Sequence, residues 1–180
     1  LNLVDLGGNN IAIGKNSLAQ LGYTTGAPLL RTITLGNTAM GFNALTSMQQ
    51  GTFNIAIGQS SLEAALNTQS TIAIGRNVAK AFTGNMDRAI MIGDEVLDEA
   101  GTTSVLTSVA NSIFIGKRAG ALHKNIASGD IGIGNQVFLG VNNGFNSGGE
   151  NIAIGAGAQG NNATGSNTRS IKIGSDSGVA

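Results

Sequence analysis

Asn54-Ile55-Ala56-Ile57-Gly58-Gln59-Ser60-Ser61-Leu62 is the stretch on which the fold turns. Its Ile-Ala-Ile segment alternates with period two, the spacing of a strand whose two isoleucines share one face. Isoleucine is β-branched and suits a pleated, packed surface. Gly58 then allows a positive φ or a close backbone approach, so the chain can turn sharply. Asn54, ahead of the strand, is the kind of small polar residue that bonds its own backbone at turns. The unit reads as a strand followed by a corner.

Working outward, the unit recurs along the whole chain. Ile11-Ala12-Ile13-Gly14, Ile72-Ala73-Ile74-Gly75 and Ile152-Ala153-Ile154-Gly155 repeat it letter for letter. Val4-Asp5-Leu6-Gly7, Ile33-Thr34-Leu35-Gly36, Ile90-Met91-Ile92-Gly93, Ile113-Phe114-Ile115-Gly116, Ile131-Gly132-Ile133-Gly134 and Ile171-Lys172-Ile173-Gly174 are variants, and Thr38-Ala39-Met40-Gly41 is a weaker copy. From Gly41 onward the glycines recur every 17 to 23 residues or so, a spacing suited to solenoid rungs. After many corners comes a second apolar pair, as in Ser17-Leu18, Ala44-Leu45, Ser61-Leu62, Val78-Ala79 and Val96-Leu97, which suggests a second short strand per rung. Helical turns compete only over 59–67 and 93–100, as local excursions.

One such rung cannot bury its isoleucines alone. Stacking successive rungs at about 4.8 Å places like residues over one another, so the expected fold is all-β, a parallel β-solenoid of about ten rungs spanning residues 1–180 as a single repeat domain. With the isoleucines taken as inward, the core is thin and marginal against chain entropy. The intervening residue then points outward, yet it is mostly Ala, Gly, Thr, Met or Phe. Small or apolar outward residues imply a second buried surface, most economically between copies of the chain around an axis. The expectation is an obligate homo-oligomer, with Glu at Ala56 or Ala153 blocking its assembly.

Composition narrows the function. Charged residues are 11%, with 10 Lys+Arg against 10 Asp+Glu and a formal net charge of +0. That excludes a highly charged disordered chain and disfavours a nucleic-acid binder, whose affinity would rest on Lys/Arg contacts with phosphate. The absence of Cys excludes a disulfide framework and thiolate metal sites. No apolar run approaches the ~18 residues of a membrane-spanning helix, so no membrane insertion is expected. The start at Leu1 lacks a signal-peptide pattern, and the chain reads as an excised piece of something longer.

Asn10-Ile11-Ala12-Ile13-Gly14-Lys15-Asn16-Ser17-Leu18, the Asn54 stretch and Asn151-Ile152-Ala153-Ile154-Gly155 resemble the head repeats of trimeric autotransporter adhesins of the YadA type, and similar repeats occur in phage tail fibres and tailspikes. The resemblance covers nearly the whole chain at the level of the repeat. It implies a left-handed β-roll, a homotrimer, and a surface-exposed attachment protein. The rungs here are longer and less regular than the compact adhesin repeat, which favours a tail fibre or tailspike in the virion over a bacterial cell-surface adhesin head. The partners so implied are a host cell-surface glycan or outer-membrane component and other fibre or virion proteins.

Sites for chemistry are few. Gly155-Ala156-Gly157-Ala158-Gln159-Gly160 spells G-x-G-x-x-G after a strand, but the turn-rich Asn161 to Asn167 replaces the helix that a dinucleotide site requires, so no cofactor is expected. Asp94, Glu95, Asp98 and Glu99 cluster, and a glycan depolymerase remains the enzymatic alternative. With aromatics at 4%, a sugar-cleaving groove is disfavoured and a solvated acidic loop preferred. His123 is the sole histidine, which excludes a multi-histidine centre within one chain, and no metal is expected. Insertions in solenoids map to loops, often on the binding face. The long ones span 19–32, 94–112, 117–130 and 135–150, and the receptor-contact candidates in or beside them are Tyr23, His123, Lys124, Phe138, Phe145 and Asn146.

Overall fold

In the computed structural model, residues 8–20, 34–98, 108–121, 129–138, 150–158 and 171–175 are described. Among them, three-residue strands form two parallel sheets. The larger has nine strands, all of them copies of the repeat: β1 (Ile11–Ile13), β2 (Thr38–Met40), β4 (Ile55–Ile57), β6 (Ile72–Ile74), β8 (Ile90–Ile92), β10 (Ile113–Ile115), β11 (Ile131–Ile133), β12 (Ile152–Ile154) and β13 (Ile171–Ile173), in that spatial order. The smaller contains β3 (Gln50–Thr52), β5 (Asn67–Gln69), β7 (Asn85–Asp87) and β9 (Ser108–Ala110). Each strand pairs in register with the strand one rung away, so Ile55 lies beside Ile72, Ala56 beside Ala73 and Ile57 beside Ile74. The molecule is the expected parallel β-solenoid. Residues 59–66 and 93–98 form turns rather than helix.

The facing of the strands is the reverse of the expectation. Ala39, Ala56, Ala73, Met91 and Ala153 are fully buried, whereas the residues on either side of them, Thr38 and Met40 around Ala39 and isoleucines around the others, are half-buried or exposed. A three-residue strand ends in a corner at each side, and both corners bend toward the interior. Only the middle side chain then has room to point inward. Asn54, two residues before Ala56, shares its face and is buried with it.

That buried polar column is not a set of self-bonded turns but a ladder between rungs. Asn37 accepts at Oδ1 from the Asn54 backbone N–H (3.0 Å) and from Asn54 Nδ2 (2.9 Å). Asn54 Nδ2 also donates to the Thr68 carbonyl (2.9 Å), and Asn54 Oδ1 accepts from the Thr71 N–H (3.0 Å). Near the other end, Asp130 Oδ1 accepts from both nitrogens of Asn151 at 3.1 Å. Burying an amide is costly unless it is hydrogen-bonded, and the ladder satisfies that condition through the residue of the next rung.

The second strand of the rung also lies elsewhere than expected. It precedes the Asn column, while Ser17-Leu18, Ala44-Leu45, Ser61-Leu62, Val78-Ala79 and Val96-Leu97 sit in the corner turn. In that turn, residues with left-handed backbone alternate. Leu45, Leu62, Ala79 and Leu97 have φ between 46° and 53°, and so, two positions earlier, do Asn43, Ser60, Asn77 and Glu95 at 54° to 57°. The alternation directs peptide groups along the solenoid axis: Ser60 N–H donates to the Phe42 carbonyl of one neighbouring rung (2.8 Å) and Leu62 N–H to the Val78 carbonyl of the other (2.9 Å). Corners are therefore hydrogen-bonded from rung to rung as thoroughly as strands. The strand-ending glycines have φ of 125° to 146°, and a Cβ on Gly58 or Gly75 would run into the carbonyl of the next rung's glycine.

The core is one side chain wide, and its rungs trade volume internally. Where the middle strand residue is Ala39 or Ala56, the corner supplies Leu45 or Leu62; where both are small, as Ala73 and Ala79, the same rung buries Phe82. Phe114 is matched by Gly120, whose Cβ would come within 2.6 Å of Leu97 Cδ2 on the neighbouring rung and within 3.2 Å of the Phe114 ring, and Gly132 is matched by Phe138. The Phe114 and Phe138 rings meet edge to face at 6.3 Å and 78°.

Two predictions test this interior. Asn54→Ala removes the partners of the Thr71 N–H and the Thr68 carbonyl together, and chemical denaturation should show a loss of about 2–5 kcal/mol. Phe114→Ala should cost about 3–5 kcal/mol. Gly120→Leu should also destabilise by itself, but the double variant should recover part of the loss: leucine at Leu97 already accepts the equivalent corner backbone at φ 49°, and the contact that remains is with the end of the Leu97 side chain. Additive losses in a double-mutant cycle would contradict the volume exchange.

Candidate interaction surface

Because the middle residues point inward, the flanking positions of the nine-stranded sheet build the exterior. Two columns result. One runs through Ile55, Ile72, Ile90, Ile113, Ile131 and Ile152, and the other through Met40, Ile57, Ile74, Ile92, Ile115, Ile133 and Ile154. Met40, Ile92, Ile133 and Ile154 are 36–40% exposed, and the terminal Ile171 and Ile173 reach 72% and 75%. At a strand spacing near 4.8 Å, nine strands make this face about 38 Å long and about 10 Å wide, on the order of 400 Å² of nearly continuous hydrocarbon. Single exposed isoleucines need no explanation, whereas a contiguous patch of this size matches the largest apolar patch of a typical monomer, which is often functional. Phe42, 45% exposed at the corner after Met40, extends it.

Charge is concentrated at the corner that borders this face. Arg76 Nη2 contacts Asp94 at 2.8 Å and Glu95 at 3.4 Å, and Arg118 Nε lies 3.9 Å from Glu95. The hydrogen bond to Asp94, and then its charge, raise the Arg76 guanidinium above its ordinary value. Exposed pairs of this kind contribute little to stability. They do account for two of the four clustered carboxylates, since Asp94 and Glu95 are engaged by guanidinium groups on neighbouring rungs. Asp98 follows in the same turn, and Glu99 lies outside the described residues.

Of the receptor-contact candidates, Phe138 is placed elsewhere: it is 6% exposed and packs on Phe114, with its size set by the room that Gly132 leaves. Tyr23, His123, Lys124, Phe145 and Asn146 lie outside the described residues. Among the described residues there is no group of three or more His, Cys, Asp or Glu placed to hold a metal ion, and no helix long and apolar enough to cross a membrane. Gly155 and Gly157 are positive-φ corner residues following β12, so the start of the G-x-G-x-x-G stretch belongs to the repeat. The outward isoleucine columns and Met40 are surface features that the reading of inward isoleucines concealed, and the exposed Phe42 and Phe53 were not singled out either. The available signal was the shared face of Asn54 and Ala56.

No protein-family model, curated protein or solved structure matches the chain.

The reversal of facing changes what substitutions report. Ala56→Glu places a carboxylate in the closed core and should abolish folding, read as loss of a cooperative thermal transition. Ile57→Glu and Ile74→Glu place theirs on the exterior and should keep the strand signal in circular dichroism. If Ala56→Glu were tolerated and the Ile variants unfolded, the assigned facing would be reversed again.

Proposed function

We propose that this chain is a non-enzymatic attachment segment of a phage tail fibre or tailspike. In this reading three copies set their isoleucine columns toward a common axis, and the trimer presents its outer surfaces to the host cell. The observation that carries the proposal is the double isoleucine column, an apolar face on the exterior of a solenoid whose interior is already filled. Burying such a face recovers roughly 25 cal/mol per Å² of apolar surface, and a parallel, in-register column is straight enough to be matched along its length by identical copies. The repeat-level resemblance to trimeric adhesin heads and tail fibres supports the same arrangement, with the left-handed coil that it implies. Virion location and contact with a host-surface glycan or outer-membrane component follow from this reading.

Light scattering on the purified chain tests the assembly. The expected mass is three times the 18.1 kDa chain, and Ile57→Glu with Ile74→Glu should dissociate it. A folded wild-type monomer would refute the trimer. Adsorption of the chain to a panel of bacterial cells tests attachment. Retention on animal extracellular matrix, with none on bacteria, would instead assign it to an adhesin head.

A further inference from the structure

The second exterior differs from the first. The outward rows of the four-stranded sheet are Gln50, Asn67 and Asn85, and Thr52, Gln69 and Asp87, in register from rung to rung. Next to the second row runs the corner column Gly36, Phe53, Ser70, Arg88 and Asn111, all with φ between 51° and 66°. The left-handed backbone is imposed by the corner, and glycine and asparagine adopt it most readily. Phe53 is bulky, poorly suited to that conformation, and 62% exposed. It contributes nothing to the core. Its ring leans over Gly36, where a Cβ would come within 2.8 Å of Cδ1, so one side rests on backbone and the rest faces water. A residue that costs the fold both backbone strain and aromatic exposure is a candidate for function.

The surroundings limit what the ring can receive. Arg88, the nearest cation in the column, is committed to Asp87 at 2.7 Å and donates from Nε to Asn111 Oδ1 at 2.7 Å. The two charges cancel locally, and the rest of the surface offers carboxamides and hydroxyls. These groups both donate and accept, at the regular intervals of a parallel sheet. A nucleic acid or an acidic peptide would need unpaired cations. A single aromatic plane flanked by neutral donors and acceptors fits a ligand with an apolar C–H face and a rim of hydroxyls.

We infer that Phe53, with Thr52, Gln69 and Ser70, forms a contact site for a neutral hexopyranose glycan, the sugar ring stacking on Phe53 and its hydroxyls meeting the amide rows. This rests on the attachment reading above and names the surface and ligand class through which attachment would act.

The test uses the full chain and three probes, cellohexaose, maltohexaose and chitohexaose, in calorimetric titration. At least one should bind with a millimolar or lower Kd. Phe53→Asn should raise that Kd at least tenfold while leaving Tm unchanged or higher, since asparagine suits the backbone better, and Phe53→Tyr should retain binding. The site is overturned if no probe binds, if Phe53→Asn binds as well as wild type, or if Phe53→Asn lowers Tm, which would make the ring a structural cover. Adsorption to bacterial cells separates the two levels. Adsorption that persists in Phe53→Asn overturns this site and leaves attachment standing, whereas wild-type chain that adsorbs to no cell overturns attachment itself.

Discussion

In-register stacking of one rung on the next is the constraint from which the remaining structure follows. A three-residue strand has no independent stability, and a corner built on left-handed residues is unfavourable in isolation. Both persist because the backbone groups named above point along the axis and meet the same groups of the neighbouring rung. Gly75 N–H donates to the Ile57 carbonyl at 2.8 Å and Ala79 N–H to the Val96 carbonyl at 2.7 Å. Once a position is hydrogen-bonded to its own repeat, like residues fall into columns, and each column answers a single physical demand. The glycine column needs close approach, the Asn column needs amide partners, and the middle strand column needs small volume.

The last demand is the least uniform. A core one side chain wide cannot absorb a large residue by rearranging distant neighbours, because interiors pack near crystal density. Compensation has to occur within the rung or with the one beside it. Phe114 with Gly120, and Gly132 with Phe138, divide one rung's volume in opposite ways, and the two rings then meet across the rung boundary. This accounts for the tolerance of Phe114 in a column that, apart from Met91 and Lys172 of the last strand, is made of alanine and glycine.

How much of this was legible in the sequence follows from what each signal encodes. Ile-x-Ile-Gly announces a short strand and a tight corner, and its recurrence announces parallel stacking, because both are properties of the local unit. Period two states that the isoleucines share a face but does not say which face is inside. Hydrophobicity suggested that they were inside, and the short span between corners decided otherwise. Leu62 and Leu97 at positive φ were unreadable, since leucine has no preference for that backbone and accepts it only because the corner is hydrogen-bonded on both sides. Most candidate contact residues lay in the longer insertions, where no repeat constrains position. Phe53 went unnoticed because it sits in an ordinary rung.

Folding of the solenoid places demands on the residues that point inward or turn the corner, and few on those that point outward. Both sheets belong to the same rungs and present outward positions at the same spacing, so the coil itself would accept the same kind of surface on each. They carry different ones: isoleucine in almost every outward position of the nine-stranded sheet, and amides and hydroxyls in most outward positions of the four-stranded sheet. The coil therefore does not set the difference, and the proposed assembly, which withdraws one face from water and leaves the other in contact with it, would do so. A face meant for water gains nothing from repeated isoleucine, and a face meant for burial would leave repeated amides without partners.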